Sequence, residues 1–254
     1  MIELRDATFT YNHKPFIDGL SLKLETGQIS TIIGPNGCGK STLVKLISRQ
    51  LHPQHGSVLL DGHDIRHLKT RDFARQVALL AQSSFVPNME VEQLVLCGRY
   101  PHQSFVSAAS PDDRRLVEDA LSLTGAIAFR EKNIRNLSGG ERQKVFLAMA
   151  LAQDTRVIVL DEPTSYLDIH ACQDVMQLVQ RLNTELGKTI IMVLHDLQNA
   201  LHYSHNILVM QKGAIIQSGS AEKIVASNAI EEAFQINLKC FWENGNPYYA
   251  FTAR

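Results

Sequence analysis

Gly34-Pro35-Asn36-Gly37-Cys38-Gly39-Lys40-Ser41-Thr42 decides the fold of this chain. It fits the pattern G-x-x-x-x-G-K-[ST], with an apolar run, Gln28 to Ile33, before it and helical spacing from about Lys40 after it. That context specifies a strand, a glycine-rich loop and a helix start. The glycines let backbone N–H groups converge on phosphate oxygens, and the helix N-terminus adds the positive end of its dipole. Lys40 is expected to reach the outer phosphates, and Ser41 to offer a hydroxyl to Mg²⁺. Cys38 lies inside the loop at the helix start, a place that can lower a thiol pKa, but it reads as a small loop-filler rather than a catalyst.

A second run complements the first. Val157-Ile158-Val159-Leu160 is continuously apolar, as suits a parallel strand covered on both faces, and it ends in Asp161-Glu162. Carboxylates at the C-terminal end of such a strand reach the crevice where ligands bind. Asp161 is expected to hold Mg²⁺ through water, and Glu162 to orient or deprotonate an attacking water. Thr189 to Leu194 is another buried strand, with His195 at its end. A histidine there can contact a terminal phosphate, although a lone histidine is also an ordinary structural polar group. Gln82 follows a strand over Val77 to Ala81 and is a candidate for Mg²⁺ and water.

Leu137-Ser138-Gly139-Gly140-Glu141-Arg142-Gln143 carries two readings. Ser138-x-x-Glu141 is a capping box that opens a helix over about 141–153. Gly139-Gly140 leaves bare backbone at that helix start, which also suits a second phosphate-binding terminus.

The chain has 254 residues, 44% hydrophobic, with a net charge of −1, so binding nucleic acid by bulk charge is not expected. Charged residues reach 20%, below the roughly 25–35% of a fully solvated surface, which favours a buried partner surface. The four cysteines show no metal-binding spacing and read as reduced thiols. Met1 to Asp6 has neither a basic nor an apolar leader region, so no signal peptide is expected. No stretch approaches the roughly 18–20 apolar residues of a spanning helix.

Leu20, Leu22 and Leu24 alternate with polar residues and are expected to pair with residues 1–10 in an antiparallel sheet. His52 to Gly56 reads as a turn, and Asp61-Gly62 as a hairpin turn. Residues 83–153 read as mostly helical, with one helix over 111–129 presenting Leu116, Ala120 and Leu123 on one face. A helix over 171–186 ends at Gly187. Gln211-Lys212-Gly213 is a hairpin turn, Ser220 caps a helix over 221–234, and Asn244-Gly245 signals a last hairpin.

Taken together and in order, these motifs resemble those of ATP-binding-cassette ATPases, the nucleotide-binding subunits of ABC transporters. The resemblance covers nearly the whole chain. It implies an α/β fold: a P-loop NTPase (RecA-like) core with an N-terminal antiparallel β subdomain and an inserted helical subdomain. The single domain would comprise a core of 1–82 and 154–254, with 83–153 inserted. Residues 34–42 resemble Walker A, Gln82 the Q-loop, 137–143 the signature and 157–162 Walker B. Ser165-Tyr166-Leu167-Asp168 resembles the D-loop, with Tyr166 where alanine is commonest, and His195 resembles the switch histidine. Tyr11 falls where the family stacks an aromatic ring on adenine.

What the resemblance implies is ATP and Mg²⁺ as ligands and a head-to-tail homodimer, in which Ser138, Gly139, Gly140 and Glu141 of one chain face the phosphates held by the other. It further implies integral-membrane permease subunits, an indirect periplasmic or lipoprotein substrate-binding partner, and a peripheral place on the cytoplasmic face of the membrane. Gly34 to Thr42, Leu80-Ala81-Gln82 and especially Gly98-Arg99-Tyr100-Pro101-His102-Gln103 are most similar to the ATPases of ferric-siderophore importers and of related haem and cobalamin importers. The run Gly98 to Gln103 has no catalytic logic and is otherwise a turn. Val86, Met89 and Val91 are candidates for contact with a permease helix, with core positions as the other reading. Non-transport cassettes that act on DNA or ribosomes carry a long coiled coil or a second cassette, and this chain has neither.

Overall fold

The computed structural model describes residues 1–11, 14–82, 85–103, 109–243 and 246–254. They fall into two compact units, Met1–Arg66 with Ile191–Arg254, and His67–Ile190.

In the first unit, β1 (Ile2–Tyr11) pairs antiparallel with β2 (Lys14–Leu24) and with β4 (His55–Leu60), and β4 pairs with β5 (His63–Asp64). Ile2 faces Leu24 and Leu4 faces Leu22, the pairing that the leucine alternation predicts. Residues His55 and Gly56, expected in a turn, instead begin β4, and a register shift between Arg5 and Thr8 absorbs the irregularity. The Asp61-Gly62 hairpin is present, both residues having positive φ.

The strand β3 (Ile29–Ile33) is wholly buried and leads through the glycine-rich loop into α1 (Lys40–Ile47). It pairs in parallel with β9 (Asn206–Gln211), which turns at Lys212-Gly213 into antiparallel β10 (Ala214–Gly219). Just before β9 in sequence comes α7 (Leu197–Tyr203). The expected helix over 221–234 is two helices, α8 (Ala221–Ala226) and α9 (Ala229–Phe234). Asn228, at φ 57, breaks it, because a left-handed residue cannot continue a right-handed helix. The closing hairpin, β11 (Ile236–Glu243) and β12 (Asn246–Ala253), pairs from Ile236↔Ala253 to Glu243↔Asn246, and its expected turn residues Asn244-Gly245 lie outside the described residues.

The second unit holds α2 (Thr70–Ala74), then β6 (Val77–Leu80) in parallel register with β7 (Val157–Asp161). Between these strands run α3 (Val91–Cys97), α4 (Pro111–Leu123) and α5 (Gly139–Ala152); after them comes α6 (Ile169–Thr184). The helix expected over 111–129 ends at Leu123, and only a short 3-10 turn, Ile127–Phe129, follows. Of the expected face, Ala120 is buried while Leu116 and Leu123 are half-buried, and Asp113, Val117 and Leu121 make up the rest of the buried set. The reason is polar: Asp113 closes a capping box with Ser110 and faces inward toward Arg99. The strand β8 (Thr189–Val193) crosses the division between the units.

Candidate nucleotide site

In the first unit, the loop after β3 is shaped by close approach. A Cβ on Gly34 would lie 2.2 Å from the Met210 carbonyl oxygen, and one on Gly39 would lie 2.6 Å from the Met210 methyl. Gly37, at φ 77, instead faces open space. The N-cap of α1 is Gly39 itself, with no side-chain hydrogen bond to the helix start. The first-turn N–H groups are therefore not capped from a side chain, as an anion site requires. Lys40 is buried, and its ammonium donates to the carbonyl oxygens of Gly34 (2.7 Å) and Pro35 (3.2 Å). This spans the loop that the sequence assigns to phosphate, leaving Ser41 half-buried and Thr42 buried behind it. Cys38 is buried too. Burial pushes its thiol pKa up, more than neighbouring Lys40 and backbone N–H groups lower it. Desolvation outweighs the helix-start field, and Cys38 fills the loop, as the loop-filling reading expects.

The Tyr11 hydroxyl lies 3.5 Å from the Thr42 hydroxyl. Its ring, 44% exposed, stands edge-on to Phe9 and Phe16, with centroids 4.8 and 5.5 Å away. An aromatic face beside a phosphate-type loop suits a stacked base. His195 is exposed in the same unit, and the N–H of Leu194 donates to Ile32 at 3.3 Å, so the histidine follows directly from a residue bonded to the strand feeding the loop.

The second unit gathers the carboxylates. Parallel register sets Leu80 against Leu160, so Gln82 and Glu162 both stand two residues beyond a matched pair. The Gln82 amide donates to Glu162, and the Ser165 hydroxyl donates to the same carboxylate oxygen at 2.9 Å. Glu162 has φ 55, a left-handed conformation that a glutamate adopts only at a cost of about 1–2 kcal/mol. Asp161, just before it, is buried at the end of β7. The part played by Ser165 was not legible from sequence. Three residues after Glu162, it meets that carboxylate because of the turn closed by Ser165 N–H and the Glu162 carbonyl at 3.2 Å.

The capping box at Ser138 forms as expected. The Glu141 N–H donates to the Ser138 hydroxyl (3.3 Å), and the Ser138 N–H donates to the Glu141 carboxylate (2.7 Å). That backbone N–H holds the Glu141 carboxyl below the usual range. A Cβ on Gly140 would lie 2.9 Å from that of Ala171, so this glycine also lets α5 begin against α6. Asp168 caps α6, accepting from the Ala171 N–H at 2.8 Å, and Tyr166 beside it is 98% exposed at φ 65.

Gly98 to Gln103 now has a physical account. Buried Arg99 donates to Asp113 (2.9 Å) and to the Ala152 carbonyl (2.7 Å) at the end of α5. His102 meets the Gln153 carbonyl at 2.8 Å, and the Pro101 carbonyl accepts from both Arg71 and Arg75 at 2.8 Å. The run clasps the start of α4 and the end of α5 to the residues before β6. Of the expected permease contacts, Val91 is fully buried and is withdrawn, its place being the first turn of α3 in the core. Val86 and Met89 are half-exposed.

Among the described residues, no three His, Cys, Asp or Glu side chains cluster to hold a metal, and no helix is long and apolar enough to cross a membrane.

A phosphate-type loop after a parallel strand, a strand-end Asp-Glu pair and a glycine-led helix start define an ATPase of the ABC type. A family model described as "ABC transporter" matches residues 17–165, and the chain belongs to that family. Its relatives include the iron(3+)-hydroxamate import ATP-binding protein FhuC of Bacillus subtilis (strain 168), 42% identical over 90% of this chain and 86% of that one. The ferric enterobactin transport ATP-binding protein FepC of Escherichia coli (strain K12) is 39% identical over 92% of this chain and 86% of its own. Among solved structures, cbiO1 from Clostridium perfringens, part of the ABC transporter complex cbiONQ, has a TM-score of 0.80 at 27% identity, covering 91% of this chain and 92% of that one. The dimeric ABC transporter cassette MJ0796 has a TM-score of 0.76 at 26% identity, covering 87% and 99%. Cassettes of this family form dimers and, in importers, work with membrane permeases.

Proposed function

We propose that this chain is the ATP-hydrolysing subunit of an importer of iron–siderophore complexes, working as a head-to-tail homodimer beneath a separate integral-membrane permease at the cytoplasmic face of the membrane. A binding protein outside the membrane would deliver the cargo to that permease. The likeness to FhuC, 42% over 90% of the chain, is the observation that carries the cargo class. Gly98 to Gln103 reads as a clasp within the ATPase, so the cargo assignment rests on relatives and not on that run.

The chemistry follows from the residues. The backbone of Gly34 to Gly39, Lys40, Ser41 and Thr42 would bind the triphosphate, and Tyr11 would stack on the base. Ser41, Gln82 and, through water, Asp161 would hold Mg²⁺, which supplies charge neutralisation at the phosphates when bound. Glu162 would take or orient the proton of the attacking water, held by Gln82 and Ser165, with His195 on the terminal phosphate. Ser138, Gly139, Gly140 and Glu141 would serve the partner's nucleotide, Asp168 would set the adjoining loop, and residues 83–153 would act as the helical subdomain.

The test is to purify the chain with its permease and measure ATP turnover, with and without Mg²⁺, against ferric siderophores, haem and cobalamin. Stimulation by a ferric siderophore alone is the expected result. Stimulation by haem or cobalamin instead would move the cargo, and Mg²⁺-independent turnover would remove the metal.

A further inference from the structure

The turn between β9 and β10 touches both ends of the candidate nucleotide site, and nothing in the chemistry above uses it. On one side it braces the phosphate loop. The Met210 carbonyl oxygen fills the space that a Cβ on Gly34 would need, and the Met210 methyl does the same at Gly39. The Gly213 N–H donates to the Cys38 carbonyl at 2.8 Å. On the other side it abuts β2. A Cβ on Gly213 would lie 1.9 Å from the Phe16 carbonyl oxygen, and Gly213 holds φ 83. The Phe16 ring in turn stands edge-on to Tyr11, 5.5 Å between centroids at 72°. Met210 is fully buried and Gly213 is buried, whereas Lys212 between them is exposed.

We propose that Gly213 is a positioning residue that sets the spacing between the base-stacking ring of Tyr11 and the phosphate loop, and so tunes affinity for a whole nucleoside triphosphate over its phosphate chain alone. The inference rests on the nucleotide-site reading above. Its physical basis is that Gly213 is hydrogen-bonded through its N–H to the Cys38 carbonyl on the loop while its Cβ position is filled by the Phe16 carbonyl on the aromatic strand. A side chain at Gly213 pushes the turn off β2 and, through the Gly213 N–H bond to Cys38, carries the strain to the loop. The loop itself keeps its other supports, the Met210 contacts and the Lys40 bonds to Gly34 and Pro35.

The experiment titrates the folded full-length chain with ATP and, separately, with inorganic tripolyphosphate. Two variants are compared with wild type: Gly213→Ala, and a chain with one glycine inserted between Lys212 and Gly213. The insertion relaxes the turn without a clash, so it covers the case in which Gly213→Ala fails to fold. The expected result is a loss of ATP affinity of about tenfold, within the range of one base–aromatic stack, with tripolyphosphate affinity changed less than about twofold. In a Tyr11→Ala background, the effect of either variant on ATP should vanish, which a merely structural role would not produce. Equal loss for both ligands, or no loss for either, overturns the proposal. Wild type that binds ATP no better than tripolyphosphate overturns the base-stacking assignment of Tyr11 with it, which separates the two failures.

Discussion

The Gln82 side-chain amide donates to the Glu162 carboxylate, and the parallel pairing of Leu80 with Leu160 is what brings the two residues level. One ladder therefore fixes the residue that leads out of β6 beside the residue proposed as general base.

Glu162→Gln should keep ATP affinity within a fewfold and lower turnover by at least about a hundredfold, the usual share of a positioned base. Gln82→Ala leaves the Ser165 hydroxyl still donating to the carboxylate and should lower kcat roughly tenfold with KM for ATP little changed. Steady-state kinetics with direct ATP titration checks both. Full turnover in Glu162→Gln would remove that residue from the chemistry.

Arg99→Ala leaves the buried Asp113 carboxylate without its cation and with hydrogen bonds from Ser110 alone. The expected cost is about 3–5 kcal/mol, a fall in Tm of roughly 6–20 °C by calorimetry. Burial alone would raise the Asp113 pKa, but hydrogen bonds from Arg99 and Ser110 outweigh it and hold the carboxyl below its ordinary value. A depressed folded-state pKa means that this stabilisation is complete above the unfolded value, about 3.9, and is lost as pH falls below it toward the folded value. Asp113→Asn should accordingly flatten the acid limb of the stability profile below about pH 4.

Cys38 should be the slowest thiol. Its burial and raised pKa leave little thiolate at neutral pH, whereas Cys97, Cys172 and Cys240 are half-exposed. Mass spectrometry after timed maleimide labelling at pH 7 should find Cys38 modified last. Labelling of Cys38 ahead of the others would contradict the buried loop.

Asn228 should be replaceable by glycine at little cost, while Asn228→Val should cost roughly 1–2 kcal/mol in urea unfolding, because φ 57 excludes a β-branched residue.

The elements legible in the sequence were those specified by neighbours in the chain. Gly34 to Thr42, the buried run Val157 to Leu160 and the box Ser138-x-x-Glu141 each carry their instructions within a few residues, and each folds as read. What escaped depends on distant partners. Arg99 finds its meaning only at Asp113 and Ala152, and the buried face of α4 turns on that same ion pair. Lys212-Gly213 reads as a hairpin turn, yet nothing local says that it abuts Cys38 and Phe16. The break at Asn228 hides because the apolar spacing runs on through it from Ile224 to Ala233.

The central claim is that one chain holds the nucleotide with Lys40 while its partner completes the site with Ser138. Mixing Lys40→Ala chains with Ser138→Arg chains tests it most directly, because in a head-to-tail pair both lesions fall in one site and leave the other whole. Light scattering should show ATP-dependent dimers in the mixture and none in either variant alone. A mixture that never dimerises with ATP, or Ser138→Arg chains that dimerise unaided, would contradict the account.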